Sequence, residues 1–196
     1  MVKRLLVYIS GILISSIGIA LAIKSSLGGS SWDSVFAALG KLTPLTMGIW
    51  SIIIQSIFLF ITAALTKRLE IAAVIPIILR GATLDFVMPI VNSIFINEYG
   101  FWGRLFLFIT GFILAGIGIG TYIIPKLPRL PIDGLMLALS NRLNWSINKS
   151  RFAIEITGFC IGIILRGPIG FGTVIITFLI APVIAFSNKY ISKVIK

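Results

Sequence analysis

Six runs of apolar residues dominate this chain, at 5–23, 46–65, 71–95, 103–123, 147–165 and 172–189. Each is close to the roughly 20 residues that a helix needs to cross the hydrocarbon core of a bilayer. Charged residues make up 12% of the 196 positions and hydrophobic ones 58%, whereas soluble domains carry about 25% charged residues. So little polar surface does not keep a folded chain in water. The sequence describes an integral membrane protein, with the bilayer as its first partner.

The opening stretch, "MVKRLLVYISGILISSIGIALAI", has the basic start and apolar body of a signal peptide. No clear small-residue cleavage site follows it and more apolar runs come after, so it reads as the first membrane helix. The net charge of +11 raises the question of a nucleic-acid partner. Lys and Arg fall mainly between the apolar runs, so no nucleic-acid partner is expected. Placing the N-terminus in the cytoplasm puts Lys67, Arg68, Lys126, Arg129, Arg142, Arg151, Lys193 and Lys196 on that side. It leaves Lys24, Lys41, Arg104 and Arg166 outside. By the positive-inside rule both termini are cytoplasmic, and the expected location is the cell membrane, in multi-pass form.

Sliding the sequence against itself by 100 positions aligns Arg4 with Arg104, Gly11 with Gly111 and "IGI" at 17–19 with "IGI" at 117–119. Asp33 then meets Asp133, and "AL" at 38–39 meets "AL" at 138–139, with no gap needed. Ile against Ile is cheap in this composition, but the Arg, Gly and Asp matches are not. The chain therefore reads as one membrane domain, 1–196, made of two repeats, 1–98 and 99–196. Three spans per repeat is an odd number, so the second repeat enters the membrane the opposite way round. Inverted repeats of this kind recur in secondary transporters, with the site at the repeat interface near mid-membrane. The expected fold class is an all-α membrane protein of six transmembrane helices, as two inverted three-helix repeats, each with a short re-entrant or interfacial helix.

The short helices carry the repeated acid. In "SSWDSVFAALG" the serines can cap a helix beginning near Trp32, and Gly40 can end it; "LPIDGLMLALS" starts on Pro131, suited to a first helical turn. A helix of about nine residues rises about 14 Å, too short to cross. Asp33 and Asp133 either cap these helices at the positive end of the dipole or face a cavity and bind a cation, a proton or a polar solute. Within the spans, a charge at mid-bilayer usually faces a cavity or a partner. Arg80 and Asp85 lie in the third run, Glu155 in the fifth, and Gln55 in the second is the repeat counterpart of Glu155. Arg80 and Asp85 are five apart and do not share a helix face; Arg80 is expected to pair with Glu155 or Asp33. Trp32 joins the candidates because it adjoins Asp33.

"SLGGSSWDSVFAALG", "LPIDGLMLALS" and the Glu in "FAIEITGF" resemble the YczE-like bacterial membrane proteins, within the wider YczE/YyaS/YitT grouping. That pattern has an "LG…PWD" element after the first span, met here by Leu27, Gly28, Trp32 and Asp33. A "PxDGLMLAL" element after the fourth span is met by Pro131, Asp133 and Gly134, and a Glu in the fifth by Glu155. Ser31 stands where the pattern has Pro. The resemblance runs along nearly the whole chain and implies a fold and a membrane location more than an activity.

Histidine is absent and Cys160 is alone, which removes the usual general base, the commonest metal ligand and any disulfide within the chain. No HExxH or Ser/His couple is visible. No enzyme activity, metal or cofactor is expected. The leading reading is a small secondary transporter, or a substrate-binding membrane subunit, for a small polar solute with a proton or sodium as coupling ion. The alternative is a non-transporting scaffold, regulator or assembly factor. The two differ in whether Asp33, Arg80, Asp85, Asp133 and Glu155 line one cavity or pair off in a dry bundle. A second copy of the chain, as a homodimer, is a further candidate partner, although no residue marks an interface.

Overall fold

The computed structural model describes residues 2–93 and 100–195, without the side chains of the last three. The end of the predicted third run (94–95), Lys196 and the side chain of Lys193 therefore lie outside the described residues. Every regular element within them is helical. In chain order these are α1 (Val2–Lys24), α2 (Ser31–Leu42), α3 (Met47–Thr66), α4 (Val74–Asn92), α5 (Gly100–Ile123), α6 (Pro131–Leu143), α7 (Ile147–Ile164) and α8 (Phe171–Ile195); a single 3-10 turn, Ile71–Ala73, leads into α4. All six apolar runs are helices. Five of them are long and apolar enough to cross a membrane: α1, α3, α4 with its leading turn, α5 and α8. The sixth, α7, has 18 residues and holds Lys149, Arg151 and Glu155, which sets it apart from the other five.

The two short helices are set by their ends. At the start of α2 the Ser30 hydroxyl accepts the Asp33 backbone N–H, and the helix ends at Thr43. Ser30, not Asp33, is thus the cap, and Gly40 does not end the helix. Gly40 lies inside it, where a Cβ would press on the Met47 backbone. Pro44 follows the true end, where the residue before a proline disfavours helix. α6 starts with Pro131 in its first turn, as expected, and closes on Asn144 in the left-handed region, φ 53°. α2 does not lie on the surface: Ser31 through Ala38 are all buried, against α3 and α7.

α1 and α5 make the most extensive contact in the molecule, and glycine makes it close. Gly11 lies on the backbone of Gly118 and Tyr122, and Gly18 on that of Gly111 and Ala115. Gly111 and Gly118 lie reciprocally against Gly18 and against Gly11 with Ser15, so a Cβ at any of the four collides with the facing backbone. Small residues that let backbones approach are the usual means of helix association in lipid, where apolar burial gives no net drive. Other contacts also recur between residues 100 apart. The Arg4 guanidinium donates to the Pro125 carbonyl, and Arg104 donates to the Ser25 carbonyl at 2.8 Å. α1 packs on α4 as α5 packs on α8, and α3 on α6 as α7 on α2.

One correspondence fails. α3 packs along α4, while α7 and α8 hardly touch. Large apolar side chains cover the outside of the bundle: Phe60, Phe86, Phe106, Phe178 and Phe186 are all more than 60% exposed. A soluble monomer rarely shows so continuous an apolar surface, and lipid is its natural solvent.

The glycine crossing gives a direct test. Gly18→Val and Gly111→Val should each lower the thermal midpoint in detergent, since overpacking a tight contact costs about 1–3 kcal/mol. Gly134→Ala, whose new Cβ meets only Thr62 at an ordinary 3.6 Å, should leave the midpoint nearly unchanged.

Candidate functional site

The N-terminal ends of α2 and α6 converge in the middle of the bundle. Arg80 lies seven residues into the 19 of α4 and is buried. Its Nη2 donates to Asp33 Oδ1 at 2.8 Å. The other carboxylate oxygen, Oδ2, accepts from the Ser30 hydroxyl at 2.5 Å. Asp33 thus receives one charged and one neutral donor, and α2 is pinned to α4 at its first turn. This is the one ion pair among the described residues. Between the two partners offered by sequence, Asp33 is the one engaged and Glu155 is not. Arg80 Nε is buried with no hydrogen-bond partner, an unusual state for a group whose desolvation is costly.

Asp133 is placed like Asp33, in the first turn of α6, but its surroundings differ. Its Oδ2 accepts from the Tyr122 hydroxyl of α5 at 3.2 Å. The position corresponding to Arg80 is Ile180, and that corresponding to Tyr122 is Ala22. Gln55 reaches over from α3, and its Oε1 accepts the Ile132 backbone N–H at 3.3 Å, satisfying one of the free donors at the start of α6. On the other side Trp32 Nε1 donates to the Ile154 carbonyl of α7 at 3.0 Å, and its ring meets Phe58 edge-on at 4.7 Å. Gly158 makes room for that indole: a Cβ there would press on Trp32.

Asp33, Arg80, Asp133, Glu155, Gln55 and Trp32 all line a single cavity of about 290 Å³. The rest of its wall is mainly aliphatic, with Ile176 and Ile180 of α8 prominent. Glu155 is half-buried and sits beside Ser31. Ser31 occupies the place where the family pattern has Pro, so this chain has a hydroxyl next to the carboxylate. Arg151, one helical turn before Glu155, also lines the cavity.

Asp85 stands apart. Its Oδ2 accepts from Thr46 Oγ1 at 2.6 Å and its Oδ1 from the Gly48 N–H at 2.7 Å. It caps the positive end of α3, away from the cavity wall on which the other candidates meet. The sequence reading missed Tyr122 and Arg151 as residues of the cavity wall. A spacing of four residues puts Arg151 and Glu155 on one helix face, a signal present in the sequence; Tyr122 had none. Among the described residues, no three Asp, Glu or Cys side chains come together as metal ligands would.

The whole length from residue 2 to 189 matches the model of a protein family described as a family of unknown function, DUF6198. The chain belongs to that family. Its relatives include YczE of Bacillus subtilis (strain 168), named an uncharacterized membrane protein, 30% identical over 95% of this chain and 86% of that one. YyaS of the same organism, named an uncharacterized protein, is 35% identical over 84% of this chain and 82% of its own. An uncharacterized protein of Haemophilus influenzae is 26% identical over 97% of this chain and 86% of its own. No solved structure matches. The DUF6198 chain described here is a membrane protein, as its apolar helices and the naming of one relative, YczE, both indicate.

Removing one partner of a buried ion pair strands the other, at a cost of about 3–5 kcal/mol, whereas removing both is far milder. Arg80→Leu and Asp33→Leu should each lower stability strongly in detergent. The double variant should recover much of the loss, a coupling read from a double-mutant cycle of thermal midpoints.

Proposed function

We propose that this chain is a small secondary transporter, or a substrate-binding membrane subunit, acting on a small solute at a site between two inverted three-span repeats. In this reading α7 is the sixth span despite its charges, α2 and α6 are half-helices entering from opposite faces, and the chain is a multi-pass cell-membrane protein with cytoplasmic termini. The observation that carries it is the meeting of Asp33, Arg80, Asp133, Glu155, Gln55 and Trp32 on one cavity. A scaffold would have its charges paired off in a dry bundle; here only Asp33 and Arg80 are paired among the described residues, and the cavity remains.

Physical reasons favour binding over structure alone. Two acids, Asp133 and Glu155, are kept in an apolar setting without an ion-pair partner, which costs folding energy unless something else is gained. Helix N-termini aimed at mid-membrane are the usual means by which transporters of this design hold charged groups of their cargo. The carboxylates are also suited to carry a coupling proton or sodium ion. The reading is of a binding and translocating protein, not an enzyme.

The test is ligand-dependent stability of the purified protein against a panel of amino acids, vitamins, organic acids, sugars, amines and ions. A ligand at a hundred times its dissociation constant should add about 2.7 kcal/mol. That gain should vanish in Arg80→Lys or Glu155→Gln. A panel that leaves the wild-type midpoint unmoved throughout would favour the non-transporting reading.

A further inference from the structure

The two halves are not closed alike, and the difference lies in a few residues. α3 is zipped to α4: Gly48 lies on the backbone of Gly81, Gly81 in turn lies against Ile52, and Asp85 ties Thr46 and the Gly48 N–H. The corresponding positions on α7 and α8 are Asn148, Ala181, Phe152 and Ala185. The two glycines that allow close approach are gone, and so is the carboxylate latch. α7 accordingly packs on α2 and α6 and hardly on α8. The separation between α7 and α8 borders the cavity, since both helices contribute to its wall. Arg151, Glu155 and Thr177 on that border are half-buried, while Ile176 and Ile180 are buried. Exposed Ile156, Val174 and Phe178 lie on the same helices, so the rim is apolar on the outside.

The cavity's charge is also unbalanced. On the cavity wall Asp33 and Arg80 neutralise one another, which leaves the carboxylates of Asp133 and Glu155 with the guanidinium of Arg151, while Arg129, in the segment before α6, acts on Asp133 from outside that wall. Three aromatic rings, Trp32, Phe36 and Tyr122, share the wall with them, and ring faces attract cations, most strongly where water is excluded. Isoleucines of α8 supply an apolar wall opposite.

We propose that the cavity takes an amphipathic monocation, an organic amine or quaternary ammonium with an apolar body, which reaches it from the bilayer through the separation between α7 and α8. The cationic head sits between Asp133 and Glu155, and the apolar body lies along Ile176 and Ile180. This rests on the cavity being a binding site, as above, and adds the class of ligand and its route. In the first half the same route is shut by the Gly48–Gly81 crossing, so loading is one-sided.

The experiment uses the full chain in lipid nanodiscs with three probes: octyltrimethylammonium, octanoate and tetramethylammonium, binding being read from tryptophan fluorescence. Octyltrimethylammonium should bind and the other two should not. The isosteric variants Glu155→Gln and Asp133→Asn should each weaken it about tenfold or more, the scale of removing one partner of a buried charge pair. At fixed total probe, raising the lipid content should shift binding with the probe's mole fraction in the bilayer. Octanoate binding that depends on Arg80 would overturn the cationic class while leaving the site itself in place. Affinity that follows the aqueous concentration alone would overturn the lateral route. A protein that binds none of the three but is stabilised by another ligand of the panel would overturn the class, and one that binds nothing at all would remove the site reading with it.

Discussion

A guanidinium in the middle of an apolar bundle has to be answered by an acid, and most of this architecture follows from how that is done. Arg80 sits at mid-depth on α4, and the acid that meets it, Asp33, comes from the first turn of a helix that starts inside the molecule. To bring Asp33 there, the chain after α1 must turn back into the bundle and begin α2 buried. The Ser30 hydroxyl serves both ends of that junction, accepting the Asp33 N–H and donating to its carboxylate. A buried charge of this sort is expensive in lipid and is kept where it serves a pathway or a site. Both Arg80 and Asp33 border the cavity.

The second half places its helices in a similar way, and around the cavity several positions 100 apart carry different residues. Where the first half has Arg80, Gln55 and Ala22, the second has Ile180, Glu155 and Tyr122. One helix start is therefore held by an ion pair and the other by a phenol and a carboxamide. The glycine crossing of α1 and α5 retains its reciprocity, as does the pair of arginines gripping carbonyls at the helix ends. The α1–α5 crossing and the two arginine grips are matched between positions 100 apart, while several residues on the cavity wall are not.

Much of this was legible in the sequence. The long helices were, because lipid fixes their length and leaves no other way to satisfy the backbone. The short ones were, because Ser30, Pro131 and a repeated Asp mark two helix starts in otherwise apolar text. Asp85 was counted with the site candidates because a charge inside a span usually faces a cavity or a partner. Its offset of five residues from Arg80 already pointed elsewhere, and the start of α3 is where it goes. The choice of Asp33 over Glu155 as the partner of Arg80 depends on how α2 and α7 cross α4, a tertiary matter that spacing along one helix does not contain. Tyr122 escaped notice for the same reason. An aromatic residue at the end of a membrane helix reads as a belt residue until the helix opposite is known. The looseness of α7 against α8 was encoded in Asn148 and Ala181, but only the zipped pair Gly48 and Gly81 makes that visible.

The central claim is that the acids meet on one hydrated cavity within the membrane, and water access tests it most directly. In a Cys160→Ser background, single cysteines would be placed at Ile132 and Thr177, half-buried on the cavity wall, and at Leu84 and Leu107, buried in the packed core. Reaction with a small water-soluble thiol reagent would then be followed in intact membranes. The account predicts that the cavity pair reacts readily and the core pair does not. Cavity positions as inert as Leu84 would contradict it, and the buried charges would then be a means of holding the bundle together and nothing more.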